Sequence, residues 1–372
     1  MRKTVLLSIV ISWVLMGCDE PAPGACPVEP PDTWDAPDFE TNAAEALALR
    51  AQLDALAGET MRGAEQGTVT VGGVDDLNAL FEAGDPSLAS VATPFAVDLM
   101  ADVFEEFVEL VGAGPQDLVD ESGAFVPGTA GGIFGTDSRG INEGGLEVRQ
   151  LVDKGLFAGG ALYNYALGLT EGQITPATVE AIGAAWGTHA TLDPEMRTDS
   201  ANYSRAMGYH ARMVEALVAA HAYAADEACT AQRDEALRTF FRTWELSMFA
   251  RFVYYANVAA VGLGAVSSDD DVAAALHEIA EGIGLALGFR GVATPSAGPL
   301  AEGGRVVTDA QIDAMMDALR VNTSDLGAST TGDFVADPAA LGEAVRQVEE
   351  IVSEAFGLEP ADIQAWRSPT AG

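Results

Sequence analysis

The sequence predicts an all-α protein of packed helical bundles, and three observations lead there. Helix starts recur as Thr-Pro or Asp-Pro pairs, at Thr93-Pro94, Thr175-Pro176 and Asp337-Pro338, where the first residue caps and proline takes the first helical position. Apolar residues recur at three- and four-residue spacing over long stretches, the longest being 142–168, 199–226, 229–264 and 269–288. Alternating β-branched runs are nearly absent; "GTVTVGG" at 67–73 is the exception, too short to build a sheet alone. About ten helices then make one helical domain over residues 41–366.

Taken in order, residues 1–17 read as a secretion signal. Arg2 and Lys3 give a basic start, and Thr4 to Met16 an apolar run too short to span a bilayer. The run ends in Leu15-Met16-Gly17-Cys18, the shape of a bacterial lipobox, so Cys18 is the expected lipidation site. Asp19 follows it, a residue that bears on membrane retention, and the leaflet stays open. Residues 18–40 are rich in proline and acidic groups and read as an extended tether. With Cys18 given to lipid, Cys26 and Cys229 remain, and in an oxidising compartment they are expected to form a disulfide tying the N-terminal segment to the body.

Helical spacing begins at 42–57, repeats briefly at 75–83, and resumes from Pro94 to about Val111. The Gly-rich interval 122–145 is the long non-helical insertion. It lacks the Gly-Lys-Ser/Thr ending of a phosphate loop, and Phe125, Val126, Ile133, Phe134 and Ile141 suggest that it packs on the body. Thr308, followed by Gln311, opens a further helix, and the Ser-Ser-Asp-Asp-Asp run at 267–271 caps the helix after it.

The whole chain carries 19 basic and 56 acidic residues; loss of Arg2 and Lys3 leaves 17 against 56, a net −39. Such a surface repels nucleic acid and anionic headgroups. Beyond the signal, Lys154 is the single lysine. Its place inside an apolar helix suggests a need for a compact ammonium.

Polar residues stand where apolar ones are expected in three helices. Glu147, Gln150 and Lys154 share one side of the helix in 142–168; Trp244, Ser247, Arg251 and Tyr255 line up in the helix in 229–264, with Glu245 beside them. In "ALHEIAEGIGLALGFRG", His277 and Glu281 lie four apart beside the apolar stripe; Gly282, Gly284 and Gly288 point to close approach of another helix, and Arg290 follows. Lys154 and Arg251 should find carboxylates among Glu147, Glu245 and Glu281, because an unpaired buried charge is costly. The expectation is a central ionic cluster joining these helices. A metal held by His277 and Glu281 is the rival reading of the same pair, given further ligands from other helices. The remaining histidines, His189, His210 and His221, are scattered, and no second His completes a zinc-protease motif.

Three segments carry a family resemblance: "AGGIFGTDSRGINEGGLEVRQLVDKGLFAGGALYNYALG", "WELSMFARFVYYANVA" and "ALHEIAEGIGLALGFR". Over about residues 40 to 360 the chain resembles an uncharacterised family of bacterial lipoproteins, filed under a domain of unknown function. More remotely it is similar to the imelysin-like envelope proteins, some of which take part in iron uptake. Their Gly-x-His followed three residues later by Glu appears here as Gly187-Thr188-His189 with Leu192 in the last place, so no ligand carries over.

The resemblance and the N-terminus imply a lipid-anchored cell-envelope protein, periplasmic or on the outer-membrane face. It would act as a non-enzymatic binding or scaffold module, with metal or iron acquisition as the concrete version. The alternative is an envelope metallohydrolase using His277 and Glu281 with a divalent metal.

Overall fold

A computed structural model describes residues 26–120, 125–126, 128, 130–187, 203–301 and 304–367. The signal segment, Cys18, Asp19 and His189 lie outside the described residues.

The fold is all-α, 67% helical with 3% in strands. The labelled helices run α1 Ala44–Leu53, α2 Val74–Phe81, α3 Pro94–Ala113, α4 Val148–Gly155, α5 Leu162–Gly168, α6 Pro176–Trp186, α7 Tyr209–Tyr223, α8 Thr230–Leu263, α9 Asp269–Gly288, α10 Asp309–Ala318, α11 Pro338–Phe356 and α12 Pro360–Arg367. The starts read from sequence are built as expected. Thr93 Oγ1 accepts from Ala96 N–H at 3.1 Å, Thr175 from Thr178 at 3.3 Å, and Asp337 from Ala340 at 3.1 Å. Each satisfies a donor that the helix itself leaves open.

The 34-residue α8 is the axis of the molecule, packed by α7, α9, α11 and α12. It is long and apolar enough to cross a membrane by length and composition, yet 61% of that window is buried by other helices, as for a core helix. Around it Tyr163, Phe240, Phe241, Trp244 and Phe289 meet edge to face with centroids 5.0–5.7 Å apart, except that Phe241 and Trp244 stack at 6.3 Å.

Glycines decide how closely α9 meets its neighbours. A Cβ on Gly284 would stand 2.6 Å from the Gln150 carbonyl, and one on Gly288 would stand 2.4 Å from that of Gly155. On the opposite side a Cβ on Gly282 would stand 2.7 Å from the Phe252 ring of α8. Helix α9 is thus pressed between α4 and α8, at distances that no larger residue permits.

Three expectations are corrected. The pattern at 142–168 is not one helix: α4 starts at Val148, and a π-helical turn over Leu156–Gly160 separates it from α5. The strand-like 67–73 is a turn, because Gly67 takes a left-handed φ of 69° and Thr68 and Val69 fold back to donate to the Gly63 carbonyl. The Gly-rich interval does hold a small hairpin, β1 Gly132–Phe134 against β2 Arg139–Ile141, antiparallel with Ile133 opposite Gly140. Phe134 and Ile141 are buried, whereas Val126 is exposed. The acidic cap holds this segment down: Asp269 accepts from Leu118 N–H at 3.2 Å and Asp270 from Thr136 N–H at 2.7 Å.

Cys26 and Cys229 are disulfide-bonded, with Cα atoms 4.5 Å apart. The later part of the expected tether is packed rather than free. Trp34 is buried between Phe39 and the edge of His221, and Asn42 donates to Glu180 at 3.0 Å. Two aromatic side chains give this otherwise polar segment enough apolar surface to dock.

Candidate functional site

The site begins with Glu147, just before α4, whose carboxylate turns inward and is fully buried. One oxygen, Oε2, accepts from His277 Nδ1 of α9 at 2.7 Å; the other, Oε1, accepts from Arg149 at 2.8 Å and Gln150 at 3.1 Å. A carboxylate so held is an acceptor, so Nδ1 of His277 carries the proton. Burial alone would raise Glu147, but His277, Arg149 and Arg139 outweigh it and hold the carboxyl well below its usual range.

Arg149 reaches onward to Glu65 at 2.8 Å. Glu65 also takes Arg62 at 3.1 Å and the Gly140 N–H of the hairpin at 3.2 Å. Burial and the neighbouring Glu147 push Glu65 up, against the pull of both arginines. Arg139, on β2, stands 3.6 Å from Glu147. On the other side Lys154 Nζ sits 2.7 Å from Glu281 and 3.5 Å from Asp153. Burial acts to raise Glu281, but Lys154, His277 and a hydrogen bond from Tyr255 bring it below the usual range. Tyr255 accepts in turn from Arg251, whose guanidinium lies 5.0 Å from its ring centre.

The result is a ladder of polar and charged groups through the helix interfaces, from Arg62 to Glu65, Arg149, Glu147 and His277, with the Glu281–Lys154 pair next to it, 3.9 Å from the His277 ring. The glycine contacts of α4 with α9 bring its two sides together. Of the residues singled out in the sequence, Glu147, Gln150, Lys154, Arg251, Tyr255, His277 and Glu281 lie together here.

Two members do not. Glu245 is buried on α8, but its carboxylate accepts from Val306 N–H at 2.9 Å and Val307 N–H at 2.8 Å, and so fixes the approach to α10. Burial raises it to about 7, against those hydrogen bonds. Its neighbours Trp244 and Ser247 are buried beside it, which is why spacing placed it with them. Arg290 lies beyond the end of α9, donates to Asp313 at 2.6 Å and covers the Phe95 ring at 4.3 Å.

Arg62, Glu65, Arg139, Arg149 and Asp153 belong to the ladder and were not singled out by sequence reasoning. Arg149 and Asp153 carried a signal, as charges within the same apolar run as Lys154. Glu65 and Arg62 carried none, since they come from a short helix 84 residues away from Arg149. The other described histidines stand apart: His221 lies 3.0 Å from Glu180, and His210 packs on Trp186.

The donor set fits a structural ladder better than a metal centre. His277 Nδ1 is committed to Glu147, and Nε2 stops 3.9 Å from Glu281 Oε1, beyond hydrogen-bond range. An ammonium and a phenol already occupy Glu281, and a cation there would be set against Lys154. Among the described residues, no group of three His, Cys, Asp or Glu is arranged to hold a metal ion.

Comparison of the chain with family models, with curated proteins and with solved structures gives no match. What fold and site define is a class: a helical protein stapled by one disulfide and centred on a closed ionic ladder.

Proposed function

We propose that this protein is an exported, lipid-anchored binding or scaffold module of the cell envelope, without catalysis at its polar centre. The observation that carries the reading is the closure of the ladder on itself. His277 and Glu281, which a hydrolase would need free, are each engaged at 2.7 Å: His277 Nδ1 is hydrogen-bonded to Glu147, and Glu281 is ion-paired with Lys154. Such a cluster fixes which helices meet, and its charges are spent on one another. Export is supported by the Cys26–Cys229 disulfide, a bond that persists in oxidising compartments. The lipid anchor rests on the Leu15-Met16-Gly17-Cys18 sequence.

Membrane fractionation tests the reading. The full chain expressed in a bacterial host should sediment with membranes and carry a mass increment on Cys18, and Cys18→Ser should move it to the soluble fraction. A soluble, unmodified wild-type protein sinks the anchor. Hydrolytic activity that disappears in His277→Gln, with folding retained, sinks the non-catalytic reading.

A further inference from the structure

A cleft of about 500 Å³ opens where the first half of α8 meets α7 and the C-terminal end of α11. Its walls bring together Arg212 from α7 with Arg238 and Arg242 from α8, over a floor of Leu246, Phe356 and Leu358. On α8 these residues follow one stripe, at 238, 242 and 246, so they share a face one turn apart. This concentration of cations stands out in a chain of 56 acidic and 19 basic residues.

The three arginines are not equivalent. Arg238 is spoken for: it pairs with Glu235, on the same wall, and donates from Nε to the Pro299 carbonyl at 3.1 Å. Arg212 and Arg242 are exposed, and among the described residues neither has a carboxylate within 4.0 Å. The cleft is lined by three arginines against one carboxylate, Glu235, and Arg242 acts on the buried Glu245 only through space, so an excess positive potential remains inside it. The apolar floor narrows the choice of ligand. A bare hydrated anion would leave Leu246, Phe356 and Leu358 against water, whereas a short hydrocarbon group would cover them.

We propose that this cleft binds a free amphipathic anion, with a carboxylate or phosphate head on Arg212 and Arg242 and a short apolar group on the floor. Guanidinium forks suit such heads because they donate in pairs to planar or tetrahedral oxygens. The ligand is a free molecule rather than a headgroup in a bilayer, because a chain of net charge −37 is repelled as a whole by an anionic membrane. The inference takes the binding-module reading as its frame. Its failure leaves the lipid anchor untouched, since the two are measured separately.

The test is calorimetric titration of the full mature protein with octyl phosphate, below its micelle concentration, beside inorganic phosphate and octylamine. Octyl phosphate should saturate at one site. Inorganic phosphate should bind more weakly, and octylamine should give no saturable heat. In Arg212→Gln/Arg242→Gln the octyl phosphate affinity should fall at least roughly 10-fold, as expected for losing charge-assisted hydrogen bonds, with the melting temperature unchanged because both side chains are exposed. Leu246→Ser should weaken octyl phosphate and leave inorganic phosphate unaffected. Absence of saturable binding overturns the proposal, as does equal affinity in the double variant. Flotation with phosphatidylglycerol vesicles in the absence of octyl phosphate binding also overturns it.

Discussion

Lys154 and Glu281 show what a single residue contributes to the interior. Their 2.7 Å contact is buried, so the Coulomb gain is offset by the desolvation of both groups, and the intact pair adds little net stability. Removing one partner is different, because the other charge stays behind. Lys154→Met should cost about 3 kcal/mol in denaturant unfolding, and adding Glu281→Leu should restore much of it. Undiminished stability in Lys154→Met would contradict the pairing. Glu245 gives a pH signature. Its folded value, about 7, lies above the usual 4.5, so the protonated form favours the fold. Its contribution is fully present below about pH 4.5 and is lost as pH rises through about 7. Melting temperature should therefore climb on acidification from pH 7.5 to 5, and Glu245→Gln should flatten that climb. Glu106, half-buried and raised to about 7 by burial and Glu143, adds in the same direction. Glu147 and Glu281 act oppositely: both are held low, so their stabilisation is lost only in stronger acid.

At the scale of elements, the seam of α4 and α9 sets the geometry of the whole ladder. Gly288→Ala would push a methyl to 2.4 Å from the Gly155 carbonyl, so the helices must part and Lys154 must retreat from Glu281. A loss of roughly 2–3 kcal/mol or more is expected, above the usual cost of overpacking because backbone rather than a flexible side chain must move. Gly342, inside α11, has nothing within 4 Å of where its Cβ would stand. There Gly342→Ala should instead stabilise by about 0.5–1 kcal/mol. Thermal melts of the two variants should move in opposite directions. The hairpin β1–β2 has its own role at this scale, carrying Arg139 to Glu147 and Gly140 to Glu65. It turns a glycine-rich insertion into one wall of the site.

For the molecule as a whole, the disulfide closes a loop of 203 residues between the N-terminal segment and the start of α8. Reduction should lower stability by roughly 3–5 kcal/mol on a chain-entropy account, with the same loss in Cys26→Ser, because the unfolded chain regains freedom. Denaturant titration with and without reductant reads this directly. Trp34, packed by Phe39 and His221, should lose its buried fluorescence along with the bond.

The sequence by itself determined the helical class, the starts at Thr93, Thr175, Thr308 and Asp337, the bounds of α9, the close approach at its glycines and the cysteine pair. Those follow from local rules: a capping side chain, the fixed φ of proline, helical periodicity and the parity of cysteines. It also named most of the ladder, because a charge inside an apolar helical stripe must be neutralised. Tertiary structure decided which partner each charge took. Glu245 and Arg290 satisfied their needs locally, at Val306–Val307 and Asp313, while Glu65 and Arg62 arrived from a distant segment. Periodicity fixes the face on which a side chain emerges and says nothing about what the opposing backbone presents there. Pairing depends on distances of a few ångströms between elements far apart in sequence, and packing sets those distances.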